Sequence, residues 1–245
     1  MFQLRPIAPS RLGASFGVLL MAMLATPAFA TMNVDLELVL AADASGSIED
    51  REYALQRMGY AKALSDPRVI NAIRGGAEQA IAVTYVEWTG RGMQVTIVPW
   101  TIITDQESAE RVAQQLLTLP RALFGGGTGV GEAIFFSAGL FDKNDIDSVR
   151  QVIDVSGDGP TNQGRQAAAA RDYAAQKGIT VNGLPILTDY PGLETYYEQN
   201  VIGGTGAFMV PAMGFDDFAQ AVLHKLIREV AGTPAQRDVA TAAPK

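Results

Sequence analysis

The residues in this sequence best suited to chemistry are oxygen-bearing side chains that follow a mostly apolar segment. Asp43, Ser45 and Ser47 come directly after the run 36–42 and place three oxygens within five residues. Such a run is typical of a strand buried on both faces of a parallel sheet. The carboxyl end of that strand lies at the sheet edge where open α/β folds bind ligands. Because carboxylate and hydroxyl oxygens are ligands for hard cations, the pattern predicts a metal site.

Two further loops carry oxygens at positions that could reach the same edge. Thr128 lies in the glycine-rich loop 125–131, and Asp158 follows a predicted strand over residues 149–155. If that strand and the one before Asp43 are neighbours where the winding of the sheet reverses, the three loops converge on one crevice. Two carboxylates and three hydroxyls leave a divalent ion under-neutralised. The site would therefore attract one more anionic oxygen from outside.

These residues, in this order, resemble the metal-ion-dependent adhesion site (MIDAS) of a von Willebrand factor type A (VWA) domain. The pattern of that family is Asp-x-Ser-x-Ser after the first strand, a Thr in a glycine-rich loop, and Asp-Gly after the fourth strand. The stretch 155–162, Val-Ser-Gly-Asp-Gly-Pro-Thr-Asn, resembles a group of secreted bacterial A-type domains without an assigned function. Ser156-Gly157 departs from the pattern, because many members have apolar residues and Thr there. The matching positions are Asp43, Ser45, Ser47, Thr128 and Asp158.

The resemblance implies that these five residues bind a divalent cation, with Mg²⁺ expected and Mn²⁺ or Ca²⁺ as alternatives. It also implies that an Asp or Glu of a protein partner completes the coordination. Asp-x-Ser-x-Ser alone is a weak signal, since a hydroxyl at this point can equally cap a helix. Ser47 with Asp50 three residues later is itself a helix-start signal.

Alternating strands and helices predict an α/β fold with a doubly wound, mostly parallel, six-stranded sheet and helices on both faces. The short connection at residues 90–92 predicts one antiparallel edge strand, and Pro99 within that strand supports an edge position. The predicted strands are 34–42, 80–88, 93–103, 149–155, 179–187 and 207–211. The predicted helices are 48–64, 67–73, 104–119, 132–140, 165–177, 189–200 and 215–230.

The first thirty residues have the layout of a secretory signal peptide. Arg5 and Arg11 precede an apolar stretch at 12–24, and Ala28-Phe29-Ala30 forms a cleavage site. The alternative is an uncleaved anchor, which Pro27 and the small residues at the end argue against. We therefore expect an exported protein, periplasmic or secreted, with a VWA-like domain at 31–231. Residues 232–245 are rich in Ala, Thr and Pro without periodicity and are expected to form a disordered tail.

Composition excludes several classes of function. The sequence has no cysteine, which removes thiol catalysis, disulfides, thiolate metal sites and an N-terminal lipid anchor on cysteine. Its formal net charge is −7, and residues 1–30 contribute two arginines and no acids. An acidic chain without basic clusters is a poor partner for nucleic acid or an anionic membrane.

Rival chemistries fit the residues less well. The glycine loop follows a helix and lacks the spacing of a phosphate-binding loop. Asp43 as a phosphatase nucleophile would need a second acid, which Ser45 cannot supply. A Ser-His-Asp triad would need His224, the sole histidine, which lies within the closing helix.

The function predicted from the sequence is thus an exported, non-enzymatic, metal-dependent protein-binding domain. The alternative from another class is a metal-dependent hydrolase in the same pocket, for which Asp154 is the spare candidate base. A third hypothesis is that the domain is a scaffold that has lost metal binding. Tyr190, Tyr196 and Tyr197 are expected to pack in the interior rather than to form an interface.

Overall fold

A five-stranded sheet with helices on both faces organises the domain. The structure is a computed structural model that describes Met1 and residues 32–232. The strands are β1 Met32–Val34, β2 Leu36–Asp43, β3 Ile81–Trp88, β4 Gln94–Ile103, β5 Ile146–Ser148, β6 Gln151–Gly157 and β7 Thr180–Pro185. The five-stranded sheet has the order β4-β3-β2-β6-β7, and the short strands β1 and β5 form a separate parallel pair. The helices are α1 Asp50–Leu64, α2 Pro67–Arg74, α3 Gln106–Thr118, α4 Val130–Ala138, α5 Ala167–Gln176, α6 Leu193–Tyr196 and α7 Phe218–Ala231.

Strand β2 is the central strand, and every one of its residues is buried. Leu38 and Leu40 belong to the core shared with α1, α2, α3 and α7. Val39 and Ala41 face the second core, built with α4 and α5. Burial on both faces explains why the strand is almost continuously apolar, and it leaves Asp43 at the carboxyl edge.

The predicted arrangement of the edge strand is confirmed. β4 pairs antiparallel with β3, whereas β2 runs parallel to both β3 and β6. The β3–β4 register shifts on either side of Tyr85. Pro99 lies in β4, where one side of the strand has no neighbour within the described sheet.

The predicted first strand, 34–42, is divided in two at Asp35. The Asp35 carboxylate accepts hydrogen bonds from the backbone N–H groups of Ala77, at 2.8 Å, and Glu78, at 3.1 Å. This turn sends β1 to pair with β5 instead of continuing along the main sheet. The break depends on a contact with Ala77, 42 residues away in sequence, which local pattern does not reveal.

The predicted sixth strand, 207–211, is wrong as a full strand. Among the described residues it makes an isolated bridge in which Gly183 pairs with Met209. The neighbouring Phe208 N–H donates to the side chain of Asn182 at 2.9 Å rather than to a backbone carbonyl. The main sheet accordingly has five strands instead of six.

The predicted helix 189–200 is shorter and less regular than expected. Gly192 has a φ of +88°, so the chain enters α6 at Leu193 rather than at Asp189. A single π-turn over Tyr197–Val201 follows α6 directly. The remaining predicted helices are present with end shifts of a few residues.

The signal peptide predicted at 1–30 and the tail predicted at 232–245 fall, apart from Met1 and Gly232, outside the described residues. No helix in the part of the chain that the structure describes is long and apolar enough to cross a membrane. The domain bounds predicted at 31–231 stay a prediction.

Candidate metal centre

The first loop of the candidate site begins with a buried carboxylate at the end of β2. Asp43 is 1% exposed, and its Oδ1 accepts a hydrogen bond from the Ser45 N–H at 2.8 Å. Its Oδ2 is buried without a hydrogen-bond partner among residues 32–232. The hydroxyls of Ser45 and Ser47 lie 3.3 Å apart. A buried carboxylate oxygen without a partner is costly, so this oxygen is suited to binding a cation or a hydrogen-bond donor.

Ser47 connects the first loop to the carboxyl end of β6. Its Oγ donates to Asp158 Oδ1 at 3.1 Å, across 111 positions of sequence. The expected role of Ser47 as the cap of α1 is wrong, because the Glu49 N–H donates to Glu52 Oε2 at 2.9 Å and the helix begins at Asp50. The Ser47 hydroxyl is therefore committed to the site rather than to the helix end.

Thr128 is held beside these groups by its backbone. Its N–H donates to Asn162 Oδ1 at 2.8 Å, and its carbonyl accepts from the Asn162 N–H at 2.9 Å. The glycine loop approaches the first loop closely, since the Gly46 N–H donates to the Gly126 carbonyl at 3.2 Å. Gly126 has a φ of +97°, which a side chain would disfavour.

One cleft of about 330 Å³ contains the accessible part of the site. Asp43 and Ser45 lie beneath it, buried and linked to it through Ser47. The structure thus brings together all five residues predicted as metal ligands. The cleft is lined by Ser47, Thr128, Asp158, Gly159, Pro160, Asn162, Asp189 and Tyr190.

Burial and neighbouring acidic side chains destabilise the charged forms of both carboxyl groups of the site. Burial and, second to it, the charge of the nearby Asp158 together raise the pKa of Asp43 to about 8. Burial also raises the pKa of Asp158, with additional contributions from the charges of Asp189 and Glu52. A cation bound between the two carboxylates would reverse these shifts, because opposite charge favours the ionised form.

The donor set fits a hard divalent cation. Two carboxylates and three neutral hydroxyls are oxygen ligands of the kind that Mg²⁺ and Mn²⁺ accept. Within the described residues no cluster of three or more His, Cys, Asp or Glu side chains is placed to hold a metal. This candidate centre instead relies on hydroxyls, and its low charge leaves room for an anionic ligand from outside.

The other sequence candidates lie elsewhere. Asp154 is fully buried beneath α7, with its Oδ1 2.7 Å from Lys225 Nζ, and burial raises its pKa to about 7. It is thus part of a core ion pair, which removes the spare base of the hydrolase alternative. His224 lies on α7, where its Nε2 is 3.2 Å from Gln220 Nε2.

Sequence reasoning missed three residues that shape the site. Asn162 ends the stretch 155–162, so its position near the site could have been inferred from that stretch. Arg121 has no pattern around it that would signal its role. Tyr197 is buried, as predicted, but its place next to the site was missed. Its hydroxyl and Asp43 Oδ2 both lie about 3 Å from the point that a Cβ at Gly157 would occupy. Tyr190, expected to be buried, is 46% exposed at the cleft.

Comparison with known protein families identifies the chain. The model of a family described as "Protein of unknown function (DUF1194)" matches residues 33–234. The chain belongs to this family. The fold of this chain is that of a VWA domain. A comparison with curated proteins gave no match.

Solved structures share the fold at low sequence identity. Proximal thread matrix protein 1 (PTMP1) from the mussel byssus, with its MIDAS motif occupied by zinc, is 16% identical with a TM-score of 0.61, covering 82% of this chain and 49% of that one. The pilus adhesin SpaC from Lactobacillus rhamnosus GG is 15% identical with a TM-score of 0.57, covering 81% and 31%. BatB from Bacteroides thetaiotaomicron is 21% identical with a TM-score of 0.52, covering 81% and 100%. The DUF1194 chain thus spans about half the length of PTMP1.

Proposed function

We propose that this DUF1194 domain binds a divalent cation through Asp43, Ser45, Ser47, Thr128 and Asp158 and uses it to capture an acidic residue of a protein partner. The observation that carries the proposal is the buried Asp43 Oδ2, which has no hydrogen-bond partner within residues 32–232. The other oxygen of this carboxylate, Oδ1, begins a chain of contacts that runs through Ser45 and Ser47 to Asp158. The bound cation would supply an open position for a carboxylate oxygen.

Each residue has a separate role in this proposal. Ser45, Ser47 and Thr128 ligate through hydroxyls, while Asp43 and Asp158 balance the charge directly or through water. Asn162 fixes the Thr128 backbone on both of its sides. The cleft beside Ser47 and Asp158 provides space for the partner's side chain.

The related structures support binding rather than catalysis as the function. PTMP1 has a zinc-occupied MIDAS motif and SpaC is a pilus adhesin, and both share the VWA fold with this domain. We propose Mg²⁺ as the ion, with Mn²⁺, Ca²⁺ and Zn²⁺ as the competitors to be tested. We also propose that residues 1–30 direct export, so that the mature chain would begin at Thr31; N-terminal sequencing of the exported protein measures this.

Thermal unfolding in the presence of metal tests the site itself. A cation that binds the folded state alone raises its stability, by about 2.7 kcal/mol at a concentration one hundred times the dissociation constant. We expect Mg²⁺ or Mn²⁺ to raise Tm in the wild type and not in Asp43→Asn. Asp147→Asn, which alters an exposed carboxylate on β5, is the matched control. Equal metal shifts in wild type and Asp43→Asn would contradict the proposed ligand set.

Capture of a partner is tested separately. Pull-downs from envelope extract, with and without EDTA, should recover a protein with the wild type and lose it with Asp43→Asn. Turnover of a generic phosphoester panel with Mg²⁺ or Mn²⁺, abolished by Asp43→Asn, would instead favour the hydrolase alternative.

A further inference from the structure

A second cavity, also of about 330 Å³, lies at the edge of the sheet opposite the candidate metal centre. It is formed where β6 and β7 begin and where α7 ends, whereas Asp43 and Asp158 follow the carboxyl ends of their strands. Its volume falls in the range of small-molecule sites. The residues that decide its chemistry are Asn182, Phe208, Arg228 and Glu229, with Arg150 and Thr180 beside them.

One wall of the cavity carries a buried carboxyl group that is half satisfied. Glu229 is 2% exposed, and its Oε1 accepts from Asn182 Nδ2 at 3.0 Å and from Lys225 Nζ. Its Oε2 is buried and has no hydrogen-bond partner in the described part of the chain. A buried acceptor of this kind is stabilised by a donor from a ligand or from water.

Another wall carries a cation held on an aromatic face. The Arg228 guanidinium carbon lies 3.8 Å from the centroid of the Phe208 ring, a separation at which a cation–π contact forms. No acidic side chain within residues 32–232 forms an ion pair with Arg228. Arg150, by contrast, donates a hydrogen bond from each of its terminal nitrogens, to the Glu229 carbonyl at 2.7 Å and to the Val230 carbonyl at 3.0 Å. Arg150 thereby fixes the end of α7 and leaves Arg228 to meet an anion.

We propose that this cavity binds a small zwitterion of the α-amino acid class. The ammonium group would donate to Glu229 Oε2, and the carboxylate would accept from Arg228. A planar guanidinium is suited to recognising a carboxylate, and Phe208 holds it in place. The two groups of opposite charge on one cavity favour a ligand that carries both charges over a simple anion or cation. This site is independent of the proposed metal centre.

The test is calorimetric titration and thermal unfolding of the exported chain with each of the twenty L-amino acids at millimolar concentration, in EDTA. We expect at least one to bind, and we expect Arg228→Ala to weaken that binding about tenfold or more, as the loss of a charged hydrogen bond does. Glu229→Gln keeps the size of the side chain and removes the charge that meets the ammonium, so it should weaken binding as well. Arg74→Ala, on an exposed arginine in the last turn of α2, should change nothing.

Acetate and methylammonium serve as half-ligands that carry one charge each. Binding of either as tightly as the best amino acid would overturn the zwitterion assignment. The absence of both heat and thermal shift for all twenty amino acids would overturn the site. Binding that survives both Arg228→Ala and Glu229→Gln would also overturn it. Because Arg228 is exposed, its variant is expected to fold even if Glu229→Gln does not.

Discussion

Arg121 fixes the loop that carries Ser45 and Ser47, because its Nη2 donates to the carbonyl oxygen of Ala44 at 3.1 Å. The same nitrogen donates to the Ile48 carbonyl at 3.2 Å, so one guanidinium spans the loop from end to end. The side chain is 9% exposed, and its Nε donates to the Leu123 carbonyl at 2.8 Å. Arg121 thereby connects Leu123, which precedes the glycine loop, to the loop that follows Asp43.

Removing this guanidinium should weaken metal binding without unfolding the protein. Because Arg121 orients proposed ligands without touching the ion, we expect Arg121→Ala to lower metal affinity by about 10–100-fold, the usual range for residues that support ligands. Isothermal titration with Mn²⁺ and Mg²⁺ measures the change. Arg111→Ala, which loses an exposed pair with Glu107, is the control and should retain wild-type affinity. Unchanged metal affinity in Arg121→Ala would show that the loop keeps its shape without the hydrogen bonds from Arg121.

Stability of the metal-free protein should fall as pH rises. The folded-state pKa of Asp43 is raised to about 8, whereas a carboxyl group in an unfolded chain has a pKa of about 4. Between these two pKa values the folded state keeps a proton that the unfolded state has lost. The contribution of Asp43 to stability is therefore fully present below about pH 4 and is lost as the pH rises to about 8. One such proton contributes a slope of at most about 1.4 kcal/mol per pH unit.

Urea unfolding in EDTA at several pH values measures this slope. Asp43→Asn cannot ionise, so its stability should depend less on pH than that of the wild type over the same window. Saturating metal should also flatten the wild-type profile, since it favours the ionised carboxylates. Identical profiles for wild type and Asp43→Asn would contradict the burial of a protonated Asp43.

Much of the site could be predicted because its residues follow strongly patterned elements. β2 is apolar on both faces, so Asp43 had to emerge at the carboxyl edge. Asp158 follows β6, and the two strands are neighbours with Leu40 beside Asp154 in register. The parallel sheet then brings the two loops together, which is a property of the topology rather than of local propensity.

The parts that could not be predicted depend on contacts between residues distant in sequence. The division of β1 from β2 rests on Asp35 and the backbone at Ala77. Ser47 reaches Asp158 rather than capping α1, and local pattern favoured the cap. The sixth strand was lost because an Asn182 side chain competes for the Phe208 N–H. In each case a polar side chain forms a hydrogen bond with a residue distant in sequence, which a local pattern does not predict.

The buried ion pair between Arg57 and Glu87 should be important for folding. Glu87 is fully buried. Its carboxylate accepts hydrogen bonds from Arg57 Nη2 at 3.1 Å and from the Ala122 N–H at 3.0 Å. Removing one partner leaves the other charge buried and uncompensated, which costs about 3–5 kcal/mol. We therefore expect Glu87→Ala to lower the free energy of unfolding by that amount, measured by urea denaturation. Glu107→Ala breaks an exposed pair and should have little effect; similar losses in both variants would contradict the assignment.

The absence of a side chain at Gly157 is required by the packing around Asp43. A Cβ at this position would lie 2.9 Å from Asp43 Oδ2 and 3.1 Å from the Tyr197 hydroxyl. Both distances are closer than normal contacts, and Asp43 and Tyr197 are themselves fully enclosed. Gly157→Ala should therefore displace the Asp43 carboxylate and lower metal affinity by at least as much as Arg121→Ala, as measured by Mn²⁺ titration. Gly214→Ala is the matched control, because its Cβ would meet nothing nearer than Thr188 Cγ2 at 3.8 Å. Wild-type metal affinity in Gly157→Ala would mean that Asp43 Oδ2 is not where the cation binds.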